Sequence, residues 1–225
     1  PDIIKGDPRF FDTVVPGSMP LPGFPDMQRH QSWHYINVPY PQEFQSQAID
    51  PENALAQIKT LLKTLRRDGP VTLQEAYALP WILHLVTDVH QPLHTIAKFR
   101  TVGGRAEQDK GGNACYLAED RNLHAFWDGV LGTNFDDAPV ARLAASIEDH
   151  LPRPKRLDLR PETWIREGLE LAEPVVYRFD GACDDRDRPL RLSAEYKVVA
   201  RRIAFGRAAM AAYRLAELLN EKLGE

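Results

Sequence analysis

The sequence has few cysteines and no long apolar run. Only two of its 225 residues are cysteine, Cys115 and Cys183, and they form no Cys-x-x-Cys motif. A thiolate zinc site and a thioredoxin-like redox motif are therefore both disfavoured. The two cysteines could pair in a disulfide or remain two buried thiols, because separation in sequence does not give proximity in the fold. No run reaches the roughly 18 to 20 apolar residues that span a bilayer, so no membrane span is predicted.

The sequence also lacks an excess of basic residues. Its 28 Lys and Arg are outnumbered by 32 Asp and Glu, which gives a net charge of -4 at pH 7. Sequence-blind binding to duplex nucleic acid depends mainly on a basic surface, so this balance disfavours it. Bound divalent metal ions would add positive charge that the count omits. An acidic chain can therefore still attract phosphodiesters at one spot.

The composition that is present is that of an ordinary globular protein. The chain is 43% apolar and 27% charged, and its 225 residues are enough to bury a sizeable core. No internal repeat is visible, and no linker divides the chain into separate units. We therefore predict a single domain over residues 1–225.

Hydrophobic periodicity predicts an all-α fold. The first 47 residues are rich in Pro and Gly and are expected to form an irregular, ordered segment. Residues 98–120 carry Gly103-Gly104 and a DKGGN run, which are typical of a long loop or a short hairpin. The expected helices, each with apolar residues at helical spacing, cover residues 50 to Arg67, Thr72 to the Gln91-Pro92 step, Asn122 to Leu131, 138–151, 161–177 and 191–222.

Clustered histidines are the strongest chemical signal. They fall in WHY (33–35), HLVTDVHQPLH (84–94) and HAFWD (124–128). Residues four apart share one face of a helix, so each His-x-x-x-Asp pair, one in the second segment and one in the third, can bind a metal ion. Imidazole nitrogen and carboxylate oxygen suit zinc, and a site built from them leaves room for water in catalytic centres.

A single His-x-x-x-Asp pair is more often a hydrogen-bonded pair than a metal site. Here two such pairs occur inside apolar stretches, where an uncompensated carboxylate would be costly to bury. Asp88 and Asp128 therefore need partners, which metal ions would supply. His94 follows a helix-ending proline, so the turn can bring it back toward the same centre. His90 lies off the ligand positions and is expected to support a ligand by hydrogen bonding or simply to end the helix.

These segments resemble a known family. In order and in spacing, WHYIN (33–37), HLVTDVHQPLH (84–94), DKGGN (109–113) and NLHAFWD (122–128) resemble the single-strand-specific zinc nucleases of the S1/P1 type. WIREGLELAEPVVY (164–177) and a long final helix extend the resemblance over most of the chain. The family implies a mostly helical fold that encloses a cluster of three zinc ions.

The resemblance also implies the ligands. Those of two zinc ions, with Asp88 bridging, are His34, His84 and Asp88 for the first and His94, His124 and Asp128 for the second. The first ion takes a further aspartate from a Trp-Ala-Asp-like segment, for which Asp2 in PDIIK is favoured over Asp26 in FPD. The family holds its third ion with an N-terminal Trp and a nearby His that have no counterpart before Asp2. Either a further segment precedes Pro1, which is the alternative we prefer, or one zinc site is incomplete. The residues present support two zinc ions.

The activity that the resemblance implies is hydrolysis of single-stranded DNA and RNA to 5′-phosphate products, together with 3′-nucleotidase activity. Zinc lowers the pKa of bound water to about 7, and the expected catalytic carboxylates are Asp2, which orients the attack on phosphorus, and Asp88, which bridges the metals. Tyr35 could stack on a nucleobase or pack in the core. Asn113 could bind a phosphate oxygen or serve as a turn residue. The family also suggests secretion or a periplasmic location, which a disulfide would fit.

Two other functions are considered. Zinc phospholipases C share the cluster and a similar middle motif, but they use His-x-x-x-Glu where this chain has His124-x-x-x-Asp128. A helical protein with purely structural zinc would need closed four-ligand sites. Against it, His and Asp predominate over Cys, and bridging carboxylates are typical of hydrolytic clusters. The nuclease hypothesis is therefore preferred.

Overall fold

Helices dominate the computed structural model, which describes residues 1–13, 15–66, 68–134 and 136–224. The α-helices are α1 (Asp2–Gly6), α2 (Ala54–Leu61), α3 (Leu73–Asp88), α4 (Leu123–Gly129), α5 (Asp137–His150), α6 (Pro161–Glu170) and α7 (Ala194–Leu223). Short 3-10 helices cover Gln31–His34, Gln42–Phe44 and Pro92–His94, and a π-helical turn covers Ala172–Val176. The prediction of an all-α fold is confirmed, with a small sheet added.

The small sheet connects segments that lie far apart in sequence. Its strands are β1 (Val38–Tyr40), β2 (Ile96–Val102) and β3 (Arg105–Gln108). Strand β1 runs parallel to β2 with Val38 opposite Ile96, and β2 pairs with β3 in an antiparallel hairpin. Both residues of the Gly103-Gly104 turn have positive φ, which glycine adopts without strain. The hairpin expected within residues 98–120 is therefore present, and β1 brings the 3-10 helix at His34 next to the one at His94.

Helix α3 begins where the sequence predicts and ends earlier. Thr72 and Glu75 form a capping box, in which each side chain binds the other residue's backbone N–H. The helix was expected to run to the Gln91-Pro92 step, but its last residue is Asp88. The amide of Gln91 bonds to the carbonyl of Asp88, three residues back, and Gln91 itself is extended. A residue before proline disfavours helical geometry, so the chain tightens before it reaches Pro92.

Helix α2 is shorter than its apolar pattern predicts. It was expected from about residue 50 to Arg67, yet it covers only Ala54–Leu61. The Asn53 side chain accepts the amide hydrogen of Ala56 and starts the helix, so the Asp-Pro-Glu run lies before the cap. After Leu61, hydrogen bonds spanning three residues replace the helical ladder. Arg67, the expected end, lies outside the described residues.

Pro174 divides the helix expected over 161–177. Regular α6 ends at Glu170, and the π-helical turn follows. The amide of Val176 bonds to Leu171, five residues back, and that of Tyr177 bonds to Ala172. Proline has no amide hydrogen to donate and crowds the preceding turn, so the backbone widens instead of continuing.

The last helix, α7, is the longest, and Ser193 caps it by accepting the amide hydrogen of Tyr196. Its start and end agree with the predicted range of 191–222 to within a few residues, as do those of α5 with 138–151. No helix in the described part of the chain is both long enough and apolar enough to cross a membrane.

The core consists of two clusters that meet near the middle of the chain. One is built around α2, α3 and Trp164, and it includes Val89. The other is built around α4 and the start of α7, and it includes Leu93. A disulfide between Cys115 and Cys183 lies in the second cluster and settles the alternative left open by the sequence. The chain between Val89 and Leu93 crosses the boundary between the clusters, and the candidate site lies there.

Candidate metal centre

The predicted ligands lie at helix ends and in short turns that converge. Two sets of three residues each offer ligand atoms that all lie within 4.8 Å of one another. We call them group one and group two; the first consists of Asp2, His34 and His84, and the second of His94, His124 and Asp128. The structure therefore brings together residues from α1, α3, α4 and two of the 3-10 helices, which the sequence separates by up to 126 positions, from Asp2 to Asp128.

Group one places two nearly perpendicular imidazoles edge to face beside a carboxylate. His84 Nε2 lies 2.9 Å from His34 Nδ1, and these atoms lie 3.1 and 3.0 Å from the same oxygen, Asp88 Oδ2. His84 Nδ1 is 3.7 Å from Asp2 Oδ2, on the exposed side of the group. Ligands of one tetrahedral zinc ion lie about 3.3 Å apart, given Zn–N bonds of about 2.0 to 2.1 Å. The three closest atoms lie 2.9 to 3.1 Å apart, slightly closer than that spacing.

Asp88 lies between the two groups. Its Oδ2 contacts both imidazoles of group one and lies 3.8 Å from His94 Nδ1 in group two. The residue is the last of α3, four positions after His84, so the helix itself sets their common face. No other described side chain contacts histidines of both groups through one carboxylate oxygen. This is the arrangement expected of a bridging carboxylate.

Backbone carbonyls orient the histidines of group two. His94 Nδ1 lies 2.7 Å from the His34 carbonyl oxygen, and His124 Nδ1 lies 2.7 Å from that of Gly111. A carbonyl oxygen only accepts, so each Nδ1 carries a hydrogen and each Nε2 is left to face Asp128, at 3.5 Å in both cases. Hydrogen bonds of this kind fix the orientation of metal-binding histidines.

The DKGGN loop supplies the carbonyl that holds His124. Gly111 and Gly112 both have positive φ, and a Cβ at Gly111 would lie 2.5 Å from the Leu93 carbonyl oxygen. Only glycine lets the loop pack this closely against the turn that carries His94. Asp109 anchors the loop by accepting hydrogen bonds from the Tyr177 hydroxyl and the Lys98 amide. The glycines are therefore required by the geometry of group two.

Asp88 and His94 each shift the pKa of the other by electrostatic attraction. Burial raises the pKa of Asp88, but the charge of His94 and hydrogen bonds from His34 and His84 outweigh burial and hold that pKa well below its usual range. Burial lowers the pKa of His94, but the charge of Asp88 and a hydrogen bond to Asp128 raise it to about 9. Without a metal, His94 is thus protonated at neutral pH, and a cation bound at its Nε2 would have to displace that proton.

The two aspartates that compete for group one lie in different places. Asp2 is 65% exposed, faces His84 and is paired with Lys5 at 2.7 Å. Asp26 instead faces His30 at 3.1 Å and accepts the amide hydrogen of Gln28. Group one includes Asp2 and not Asp26. The geometry therefore favours the preferred alternative.

Tyr35 and Asn113 both line a cavity of about 420 Å³ beside group two. His124 forms part of its wall, together with Lys110 and Gln108. Tyr35 is only partly buried. The structure thus places the two predicted substrate contacts together next to one metal group, and it adds a cation, Lys110, that the sequence analysis did not select.

Gln91 is a site residue that the sequence analysis did not assign. Its amide donates to Asp128 Oδ1 at 2.8 Å, and its Oε1 accepts the amide hydrogen of Leu93. One side chain thereby caps the turn that ends in His94 and orients a carboxylate of group two. Its position between His90 and Pro92 in the motif was visible, but the contact with Asp128 joins segments 37 residues apart. A local sequence pattern cannot predict a contact between segments so far apart.

The donor atoms suit a borderline divalent cation. Imidazole nitrogen and carboxylate oxygen predominate, and the described cysteines are consumed by the disulfide. These ligands accommodate zinc and other first-row divalent ions, whereas calcium and magnesium prefer all-oxygen sites. His34 Nε2 is buried and has no hydrogen-bond partner among the described residues, so the polar contacts of that ring are on the Nδ1 side, where the ligand atoms converge.

A family model described as S1/P1 Nuclease matches residues 22–224. The match covers nearly the whole chain and includes every predicted ligand except Asp2, whose place in the centre rests on geometry alone. No curated protein matches the chain significantly.

Proposed function

Because the chain belongs to the S1/P1 nuclease family, whose members act on nucleic acids, we propose that it is a zinc-dependent phosphodiesterase specific for single strands. The products would be 5′-phosphates from DNA and RNA, and the same centre would remove 3′-phosphates from nucleotides. The observation that carries the proposal is the position of Asp88, whose Oδ2 lies 3.0 to 3.8 Å from histidines of both groups. A shared carboxylate is what a multinuclear hydrolytic centre needs.

The ligand assignment follows the two groups. Zinc would be held by group one together with Asp88, and by group two with Asp88 on its near side. When bound, zinc supplies positive charge for the phosphate and acidifies water. This chain's carboxylates would then have separate roles: Asp88 would fix the distance between the groups, and Asp2, which is exposed and paired with Lys5, would orient the attacking water.

Selectivity for single strands follows from the shape of the centre. Asp88 is only 14% exposed, so a phosphate must enter a recess to approach it. A flexible strand can bend a phosphate into such a recess, whereas bending a duplex has an elastic cost. The cavity that contains Tyr35 lies beside group two, and we propose that its ring stacks on a nucleobase there. Lys110 and Asn113 would contact the adjoining phosphate and sugar.

The disulfide supports a location outside the cytoplasm. Disulfides persist in secreted and periplasmic proteins and are rare where thiols are kept reduced. The Cys115–Cys183 bond lies in a core cluster that also contains Leu93 and Leu123, the neighbours of two predicted ligands. We therefore propose that the protein is secreted or periplasmic.

The test combines metal analysis with a comparison of substrates. We expect two or more zinc ions per chain by mass spectrometry, and faster hydrolysis of denatured DNA than of duplex DNA. Activity should be lost on chelation and restored by zinc. His84→Ala should remove activity, whereas His150→Ala should not, because His150 is exposed on α5 and bonds only locally, to Ser146.

Two outcomes would overturn the proposal. Absence of bound zinc together with unchanged behaviour after chelation would make these histidines structural. A clear preference for phosphatidylcholine over denatured DNA would assign the centre to lipid hydrolysis instead. Phosphate release from 3′-mononucleotides, measured on the same samples, tests the nucleotidase activity separately.

A further inference from the structure

A buried polar cluster lies directly behind the segment that joins the two metal groups. It consists of His90, Glu167, Arg207 and Arg214, and we call it the clamp. His90 is 1% exposed and Arg214 is 2% exposed. Buried charged groups are costly unless they are paired, so a cluster of this kind requires a reason.

Hydrogen bonds hold both the side chain and the backbone of His90 in the clamp. The His90 ring donates from Nδ1 to the Val86 carbonyl at 2.7 Å and accepts at Nε2 from Arg214 at 3.0 Å. The carbonyl of His90 accepts from Arg207 Nε at 3.0 Å. His90 lies two residues after Asp88 and four before His94. Hydrogen bonds of the clamp therefore hold the middle of the link, which is the segment from Asp88 to His94 that joins the two groups.

Helices α6 and α7 supply the other side of the clamp. Arg207 and Arg214 are seven residues apart, which places them on one face of α7 two turns apart. Glu167 on α6 binds both, and it receives two hydrogen bonds of 2.6 and 2.7 Å from Arg214. The Arg214 guanidinium also lies 5.7 Å from the Trp164 ring centre. Two cations and one anion leave the cluster with one excess positive charge.

The clamp lies where the two core clusters meet. Val89 packs in one core cluster and Leu93 in the other, so the link crosses the boundary where the clusters could shift against each other. A relative shift would change the distance between Asp88 and His94. Hydrogen bonds from Arg207 and Arg214 tie the link to α7, which contacts both clusters.

We propose that the clamp sets the spacing of the two metal groups, with His90, Glu167, Arg207 and Arg214 as positioning residues. The inference rests on the proposed function, because spacing matters only if both groups bind metal. Supporting contacts around metal ligands typically change affinity or activity by about 10- to 100-fold. We expect a loss of this size when the clamp is broken, with fold stability affected much less by the conservative changes.

The test uses variants that keep charge or hydrogen bonding. Arg214→Lys keeps the charge but loses the paired hydrogen bonds to Glu167. Glu167→Gln keeps the shape, and His90→Gln keeps an acceptor that His90→Leu lacks. The matched control is Glu162→Gln, on the same helix, which breaks an exposed ion pair with Lys59.

The readouts are zinc affinity measured by chelator competition, the visible absorption spectrum of the cobalt-substituted protein, and kcat and KM measured separately. We expect weaker binding of one of the two ions by about tenfold or more, an altered cobalt spectrum, and a fall in kcat with little change in KM. His90→Gln should retain more affinity than His90→Leu, and Glu162→Gln should match the unsubstituted protein. Far-ultraviolet circular dichroism on metal-free samples checks that each variant is folded. If one variant does not fold, the remaining variants test the proposal.

The outcomes separate the two proposals. If the unsubstituted protein binds no zinc, the proposed function fails. If it binds two ions and Arg214→Lys, Glu167→Gln and His90→Leu all keep its affinities, spectrum and kcat, then the clamp has no positioning role while the function stands. An equal loss in Glu162→Gln would likewise count against the clamp.

Discussion

The two metal groups differ in what holds their histidines. In group two, backbone carbonyls of His34 and Gly111 fix both imidazoles, and Gln91 orients Asp128. In group one, His84 Nε2 lies 2.9 Å from His34 Nδ1, and both atoms contact one oxygen of Asp88. Group two is thus organised by the fold, whereas group one brings its ligand atoms closer than the roughly 3.3 Å expected around one zinc ion. We therefore expect the two groups to respond differently to substitutions of the residues that support them.

The largest effect is expected from removing what both groups share. Asp88→Asn keeps the shape but removes the negative charge that would hold two cations together. We expect activity to fall by on the order of a thousandfold and zinc content to drop below two per chain. Steady-state kinetics and mass spectrometry measure both. Full activity with unchanged zinc would show that Asp88 does not bridge, and the two groups would then be independent.

The next effect should be confined to group two. Gly111→Ala places a Cβ 2.5 Å from the Leu93 carbonyl oxygen at a positive φ, so the loop must move and take the carbonyl away from His124. We expect zinc affinity at group two to fall about 10- to 100-fold. The matched control is Gly206→Ala, where nothing lies within 4 Å of the added Cβ. Equal affinities in both variants would mean that the carbonyl does not orient His124.

A smaller effect should distinguish the two candidate aspartates of group one. Asp2 is 65% exposed, so its contribution is screened by water. Asp2→Asn should lower zinc affinity at group one by about tenfold, and Asp26→Asn should leave it unchanged. Competition with a chromophoric chelator measures both variants. The reverse result would move Asp26 into the centre and remove Asp2 from it.

The smallest effect should leave both groups intact. Thr72→Ala removes half of the capping box, far from the ligands at the other end of α3. We expect a loss of about 1 kcal/mol in the free energy of unfolding, with zinc affinity unchanged. Urea denaturation of the metal-free protein tests this. A change in zinc affinity would instead show that the whole helix, and not only its last two turns, positions His84 and Asp88.

Much of the fold could be predicted because its signals are local. The capping box of Thr72, the caps at Asn122 and Ser193, and the apolar spacing of α3 and α7 all act within a few residues. Prediction failed where an opposing local signal was stronger than the apolar pattern, as at Asn53 and Pro174. Strand β1 was not predicted, since its partner β2 lies more than fifty residues away.

The residue types of the candidate ligands and their pairing in two His-x-x-x-Asp units can be read from the sequence, because helical spacing places such residues on one face. How these two units combine with other residues depends on the tertiary structure. It placed Asp88 between the groups, and it placed Asp2, rather than Asp26, beside His34 and His84. It also formed the disulfide and put His90 against Arg214, 124 residues away. The physical reason is that such contacts depend on how two core clusters pack together, and packing of distant segments leaves no periodic trace in the chain.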